Sequence, residues 1–240
     1  MRAAELELIQ HLPLFADISC EQVHQLLATD LLTASARATF PVNSLLFEQG
    51  DTPSALHILI QGVVELFAIS ADGKETAMEI LGPTDNFILA AVLLDTPYLM
   101  GAKVLKTATT LMIPARVLRA EIVRRPKLAL AMLASMAGQY RTMVKQLKDM
   151  KLRSGTQRLV AQLLRLHRQG GASGDRVMLP VSKQVLAGRL GMTPENLSRS
   201  FATLRDYGVT VRRDAILLTD IARLEAYCLP DALIDGDERC

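Results

Sequence analysis

At 240 residues the chain is sized for two domains rather than one, at roughly 100 to 200 residues each, and half of it is apolar, enough to build two cores. Its longest unbroken apolar run, Phe87 to Leu94, is far shorter than the ~20 residues of a bilayer-spanning helix, which predicts a soluble protein with no membrane partner. The net charge of +2 hides an asymmetry: residues 1–125 carry nine basic against fourteen acidic side chains, whereas residues 151–229 carry thirteen against six. A basic second half fits a phosphate-binding module joined to a part that is not one, although charge alone allows an Arg-rich solvated face equally well.

The opening MRAAELELIQ mixes acids into its apolar residues and lacks the order of a secretory signal, so a cytoplasmic location is expected. Cys20, Cys228 and Cys240 are scattered and show no C-x-x-C spacing, which argues against a zinc site, a redox pair or an iron-sulfur cluster. Cys20 and Cys228 read as ordinary buried or semi-buried thiols.

Residues 5–12 and 20–32 predict short helices packed on a β domain. From Phe40 to Met112 short apolar runs recur every eight to twelve residues, broken at Pro41, Gly50-Asp51, Gly62, Asp72-Gly73 and Gly82-Pro83, as in an antiparallel sandwich or barrel. Asp72-Gly73 is the strongest hairpin signal, since both residues tolerate positive φ. After Pro126 the turn residues stop, and Leu133, Met136, Tyr140, Met143, Leu147 and Met150 alternate at spacings of three and four. This is a coiled-coil seam, with Arg141, Lys145 and Lys148 off it, and it predicts a dimer interface; the alternative is a helix packed on its own domain.

The domains expected are therefore 1–125, a β domain; 126–152, the dimerisation helix; 153–229, a basic helical domain; and 230–240, an acidic, disordered tail. The basic domain starts with a helix near 154–168, closed by Gly170-Gly171, and continues through a polar loop, GGASGDR.

Residues 182–208 read SKQVLAGRLGMTPENLSRSFATLRDYG and carry the strongest functional signal. Counted from Lys183 as a helix-turn-helix, the fifth position is Ala187, small enough for a close helix crossing. The ninth is Gly191, free to take positive φ at the turn, and the fifteenth is Leu197, a core plug beside Leu186 and Leu190. Thr193 is the N-cap of the second helix, Pro194 its first residue and Glu195 an acid in its first turn. Glu195, Ser198, Arg199 and Ala202 fall on one face, with Leu197, Phe201 and Leu204 opposite. In a major groove Arg can bond guanine O6 and N7, Glu can accept from cytosine N4, and Ser can reach a base edge or a phosphate; a purely capping role is the alternative for Glu195. The candidate DNA-binding set is Lys183, Gln184, Thr193, Glu195, Asn196, Ser198 and Arg199, joined by Arg212 and Arg213 of a two-stranded wing in GVTVRRDAILLTD.

This segment resembles the DNA-binding helix of the Crp/Fnr family, and LFEQGDTPSALHILIQGVVELF resembles that family's β-roll, with Gly50 and Gly62 as turn glycines. The resemblance runs along nearly the whole chain. It implies an α+β fold: an N-terminal antiparallel, cyclic-nucleotide-binding-like β-roll, a long dimerisation helix, and a C-terminal winged helix-turn-helix. It implies a homodimeric transcriptional regulator, here expected to be an activator, with double-stranded DNA and RNA polymerase as partners. The Glu195, Ser198, Arg199 pattern is similar to the Fnr-like branch, which implies TTGAT half-sites in an inverted repeat.

Cyclic-nucleotide binders of the family carry Gly-Glu and Arg-Ser pairs, and here Ile88-Leu89 and Leu99-Met100 stand in their places. An apolar pair leaves a buried phosphate unpaired, so cyclic AMP is not expected. The iron-sulfur sensors need several N-terminal cysteines, and Cys20 is alone. An effector pocket lined by Ile88, Leu89, Leu93, Leu99 and Met100 is expected instead. DTPYLMGAK is similar to Dnr-type nitric-oxide regulators, which implies haem, with His11, His57 and His167 as ligand candidates and His24 as a further histidine. The competing expectations are a ligand-independent regulator and a cyclic-nucleotide-like module serving an enzyme or channel. No constellation of Ser/His/Asp, paired acids or phosphate-cradling glycines points to an enzyme, and 4% aromatics without Trp disfavour single-strand binding.

Overall fold

The computed structural model describes residues 34–170, 175–212 and 215–236. The helices expected at 5–12 and 20–32, His11, His24, Cys20, Cys240 and Arg213 lie outside these residues. The chain divides into two units, Met1–Tyr140 and Arg141–Cys240.

The first unit is an antiparallel sheet of β1 (Ala36–Phe40), β2 (Leu45–Phe47), β3 (Ala55–Ile69), β4 (Glu75–Leu81), β5 (Asn86–Phe87) and β6 (Gly101–Pro114). The strand order is β1-β6-β3-β4, with β2 on β6 and β5 on β3. Alternation along β3 and β6 sends side chains into two cores. Leu56, Ile58, Leu111 and Ile113 pack against helices, whereas Leu59, Val64, Leu66, Ala102, Val104 and Ala108 enclose Phe47, Phe87 and Tyr98. Gly62, read from sequence as a break between strands, instead lies inside β3 at φ +99. A Cβ there would sit 2.4 Å from the carbonyl oxygen of Thr107, so the glycine lets the two long strands stay paired through a bulge.

The hairpin at Asp72-Gly73 exists, with a turn different from the expected two-residue one. Ile69 pairs with Glu75, Gly73 N–H donates to Ser70 O at 2.9 Å, and only Gly73 takes positive φ. This is a three-residue loop with glycine in the left-handed position; Asp72 accepts from the Ser70 hydroxyl instead.

Helix α1 (Leu89–Leu94) opens on Ile88 at φ 63 and closes on Asp95 at φ 53. α2 (Ala115–Arg124) follows β6, and α3 (Pro126–Leu152) runs for 27 residues, about 40 Å at 1.5 Å per residue. Leu89 and Val92 pack with Leu118 of α2 and with Leu128, Ala131 and Met132 at the start of α3. Gln139 Nε2 also donates to the Asn86 side chain at 2.9 Å and to its carbonyl at 3.0 Å, so the strand before α1 is tied to the long helix.

The second unit holds the last turns of α3, then α4 (Gly155–Gln169), α5 (Lys183–Arg189), α6 (Pro194–Thr203) with a 3-10 turn at Leu204–Tyr207, α7 (Ile221–Cys228) and α8 (Ala232–Asp235). A small sheet of β7 (Arg176–Val177), β9 (Ile216–Leu218) and β8 (Val209–Val211), in that order, completes it. The tail expected to be disordered is ordered through Gly236, because Asp231 caps α8 and Arg153 grips Asp235. Among the described residues no helix is long and apolar enough to cross a membrane.

Candidate nucleic-acid interface

α4 is the scaffold of the basic unit. Ser154 and Gln157 form a reciprocal capping box at its start, and Leu159, Val160, Leu163 and Leu164 bury its apolar face. α5 starts at Ser182, whose hydroxyl accepts from Val185 N–H, and Leu186 and Ala187 pack inward. The turn after α5 is fixed by Gly191 at φ 61, with Gly191 N–H on Gly188 O at 2.8 Å and Met192 N–H on Ala187 O at 2.9 Å. α6 then begins on Thr193, whose side chain accepts from Asn196 N–H at 3.2 Å, with Pro194 in the first helical position. These are the features of two helices crossing at a tight turn.

The two faces of α6 separate cleanly. Leu197, Phe201 and Leu204 are buried, whereas Glu195, Asn196, Ser198, Arg199 and Ala202 are exposed. Arg199 Nη2 donates to Asn196 Oδ1 at 2.7 Å, which holds the guanidinium along the exposed face. Lys183 and Gln184 are exposed at the start of α5, and the Lys183 ammonium lies 5.6 Å from the Phe201 ring centroid. β8 and β9 pair antiparallel as the wing, closed by Arg212 N–H on Ala215 O at 2.8 Å, with Arg212 exposed. The structure thus gathers Lys183, Gln184, Thr193, Glu195, Asn196, Ser198 and Arg199 onto two adjoining helices of one unit.

Sequence reasoning missed the residues that anchor this face from behind. Ser200 is buried, and its hydroxyl pairs with Thr156 of α4 at 2.9 Å. Arg158 is buried, donating to Leu190 O at 2.9 Å and to Arg153 O at 2.7 Å. Arg158 stands one turn before the buried Gln162 on the inward side of α4, and that helical spacing was the signal for its burial.

The five residues expected around an effector pocket do not line one space. Leu89 is fully buried in the helix-packed core, Leu93 is half-buried against that core and Met100 against the other, and Ile88 touches both. Leu99 is 84% exposed. The left-handed backbone at Ile88 and Asp95 turns successive side chains apart. Among the described histidines, His167 lies in the last turn of α4. His57 is buried between Phe47 and Phe87, with ring centroids at 5.5 and 5.4 Å. Burial lowers its pKa to about 4, and its Nδ1 has no hydrogen-bond partner. A neutral imidazole whose Nδ1 has no partner has the chemistry of an iron ligand, but the Phe47 and Phe87 rings pack on either side of it. Among the described residues no three His, Cys, Asp or Glu side chains cluster as a metal site.

On the seam, Leu133, Tyr140, Met143, Leu147 and Met150 are exposed and Met136 is half-buried. Contiguous apolar rows of this kind are rarely left uncovered in monomeric proteins.

Comparison with known proteins agrees with this architecture. Residues 37–125 match the model of the cyclic nucleotide-binding domain, and residues 157–227 match that of the Crp-like helix-turn-helix domain. A regulatory protein from Silicibacter pomeroyi DSS-3 is 30% identical, with a TM-score of 0.62, over 95% of this chain and 99% of that one. The cyclic AMP receptor protein of Thermus thermophilus is 28% identical over 88% of this chain and 96% of its own length. The DNR structure from Pseudomonas aeruginosa is 26% identical, with a TM-score of 0.51, over 95% of this chain and 99% of that one.

Proposed function

Since the chain belongs to the Crp/Fnr family of DNA-binding transcriptional regulators, which are not enzymes, we propose that it works as a homodimer that reads an inverted repeat of TTGAT half-sites. The observation that carries the reading is the exposed row Glu195, Ser198, Arg199 on a helix whose other face is buried. In a major groove Arg199 supplies a bidentate donor for guanine and Glu195 an acceptor for cytosine N4. Thr193 and Asn196 at the helix start, with Lys183, Gln184 and the wing's Arg212, supply the contacts that fix register on the phosphates.

Pairing of α3 with its twofold mate along Leu133, Tyr140, Met143 and Leu147 would place two such helices about one helical turn of DNA apart, so the target is a palindrome. RNA polymerase is the further partner proposed.

Control is proposed to enter through the segment from Asn86 to Leu94. Its ties to α3, through the core that Leu89 shares with Leu128 and Met132 and through the Asn86–Gln139 hydrogen bonds, give a ligand in the β-roll a hold on the long helix. Haem with nitric oxide is the effector proposed from the likeness to Dnr-type regulators, with His57 as the described residue whose chemistry suits the iron. Bound haem would supply a site for a diatomic gas, while the apolar pairs Ile88-Leu89 and Leu99-Met100 argue against a cyclic nucleotide phosphate.

The test is fluorescence anisotropy of a labelled TTGAT-N4-ATCAA duplex with apo protein, haem-loaded protein, and haem-loaded protein exposed to nitric oxide. Tight binding only in the third case supports the whole proposal. Equal binding in all three removes the effector and keeps the reader, and no preference over random duplex removes the TTGAT reading.

A further inference from the structure

The basic side chains on the last turns of α3 do not face solvent alone; the C-terminal segment covers them. Lys145 Nζ donates to Gly236 O at 3.1 Å, and Lys148 Nζ lies 3.4 Å from Asp231 Oδ2. Arg153, whose side chain is only 5% exposed, grips both carboxylate oxygens of Asp235, with Nη1 on Oδ1 at 2.8 Å and Nη2 on Oδ2, and it also meets Asp149 at 3.0 Å. Asp235 is held in turn by Asp231 N–H on its Oδ2 at 2.9 Å, and Asp231 caps α8 through Leu233 N–H at 2.8 Å. A bidentate, largely desolvated guanidinium-carboxylate pair is the strong class of ion pair, and it fixes geometry as well as charge.

Arg153 sits in the joint between α3 and α4, and its carbonyl accepts from Arg158 Nη1 at 2.7 Å. Arg158 also donates through Nε to Leu190 O, at the C-terminal end of α5, and through Nη1 to Met150 O at 3.4 Å, near the end of α3. A cation is favoured where two helices end in unpaired carbonyls. Asp235, Arg153, Arg158 and Leu190 thus form one chain of bonds from the tail, through the end of the long helix, to the turn of the helix-turn-helix. Met150 closes the same joint, since a Cβ on Gly191 would lie 2.5 Å from its Cε.

We propose that residues 231–236 are a clasp that fixes the end of α3 to the DNA-reading module, with Asp235 as its positioning residue. The inference rests on the two-site reading above. A module held rigidly on the dimer helix presents itself to the second half-site at a defined spacing. A module on a loose joint pays entropy when both sites are engaged and accepts more than one spacing.

The test uses the full chain, Asp235→Asn, Asp235→Glu, and a chain ending at Pro230, each titrated with a single TTGAT half-site and with palindromes of four- and five-base-pair spacers. Hydrogen exchange of residues 145–158 is followed in the free proteins. For Asp235→Asn and the shortened chain the expected result is unchanged half-site affinity, roughly tenfold weaker binding to the four-base-pair palindrome, and a reduced preference over the five-base-pair one. Asp235→Glu should recover most of the loss, and exchange at the joint should quicken only where the carboxylate is missing. Wild-type spacing preference in Asp235→Asn and in the shortened chain overturns the proposal, as does equal weakening on half-site and palindrome. If the unmodified chain itself shows no palindrome preference, the two-site reading has failed and exchange decides: faster exchange in Asp235→Asn upholds the clasp, and unchanged exchange overturns it.

Discussion

Replacing Arg199 by alanine separates reading from folding, because the side chain is exposed and its bond runs to Asn196, one turn back on the same helix. Alanine is the better helix former, and a surface change away from core, caps and special backbone is worth within about 0.5 kcal/mol of stability. On the specific duplex the loss of a bidentate donor should cost ~1 to 3 kcal/mol, roughly five- to 150-fold in Kd, with base preference relaxed at one position in each half-site. Leu197, two positions earlier and 2% exposed, is the contrast: Leu197→Ala should destabilise the unit by ~2 to 5 kcal/mol and weaken every DNA alike through unfolding. Arg199→Lys should behave like alanine at the guanine position, since an ammonium cannot bond O6 and N7 as a planar fork. The assay is anisotropy on the palindrome, on variants of each base pair and on random duplex, beside thermal melts of each protein. Equal weakening on random and specific DNA for Arg199→Ala, or a melt as low as that of Leu197→Ala, would refute the assignment of a base-reading role.

Three further outcomes follow from the first unit and the seam. Burial depresses the pKa of His57 from 6.5 to about 4, so between these values the unfolded chain takes up a proton that the folded one refuses. Stability should therefore fall as pH drops through that window, by about 2 kcal/mol at pH 5, and His57→Phe should flatten the dependence of the urea midpoint; an unchanged slope in the variant would sink the idea. Gly62→Ala meets backbone at 2.4 and 2.6 Å in addition to a left-handed φ and should cost about 3 kcal/mol or more. Gly73→Ala, with nothing within 4 Å, should cost only ~1 to 2, and denaturation curves that rank the pair the other way would contradict the bulge. Leu147→Glu places a charge in the middle of the proposed seam and should yield monomers in sedimentation equilibrium that still bind a half-site; a persistent dimer would move the interface elsewhere.

What could be read in the sequence was what is decided locally. The helix-turn-helix was legible because each of its demands falls on a residue within a few positions: a small Ala187, a left-handed Gly191, a capping Thr193 and a fixed φ at Pro194. Gly62 was misread as a break because a turn and a bulge ask the same thing of a glycine. What distinguishes them is the backbone at Thr107 and Ala108, set against it by strand pairing that no local pattern reports. Ile88, Leu89 and Leu99 are grouped by the resemblance, which sets them where the family's Gly-Glu and Arg-Ser pairs stand and says nothing of the backbone this chain adopts there. A β-branched residue at φ 63 costs of order 1–3 kcal/mol and is the last place where propensity would put a reversal. The fold places a left-handed residue where the resemblance puts the glycine of a Gly-Glu pair, and this chain fills it with isoleucine. Ile88 packs against both cores, so hydrocarbon stands where the resemblance puts a glycine. The tail illustrates the opposite error, in which composition was read without its partners. An acidic, glycine-containing segment suggests disorder in isolation, but Lys145 and Lys148 had already been placed off the seam, on a helix stretch whose one nearby acid is Asp149. A basic stripe beside an apolar seam is itself a demand for acceptors from elsewhere in the chain: Asp231 answers Lys148 and Asp235 answers Arg153, each from more than eighty residues away.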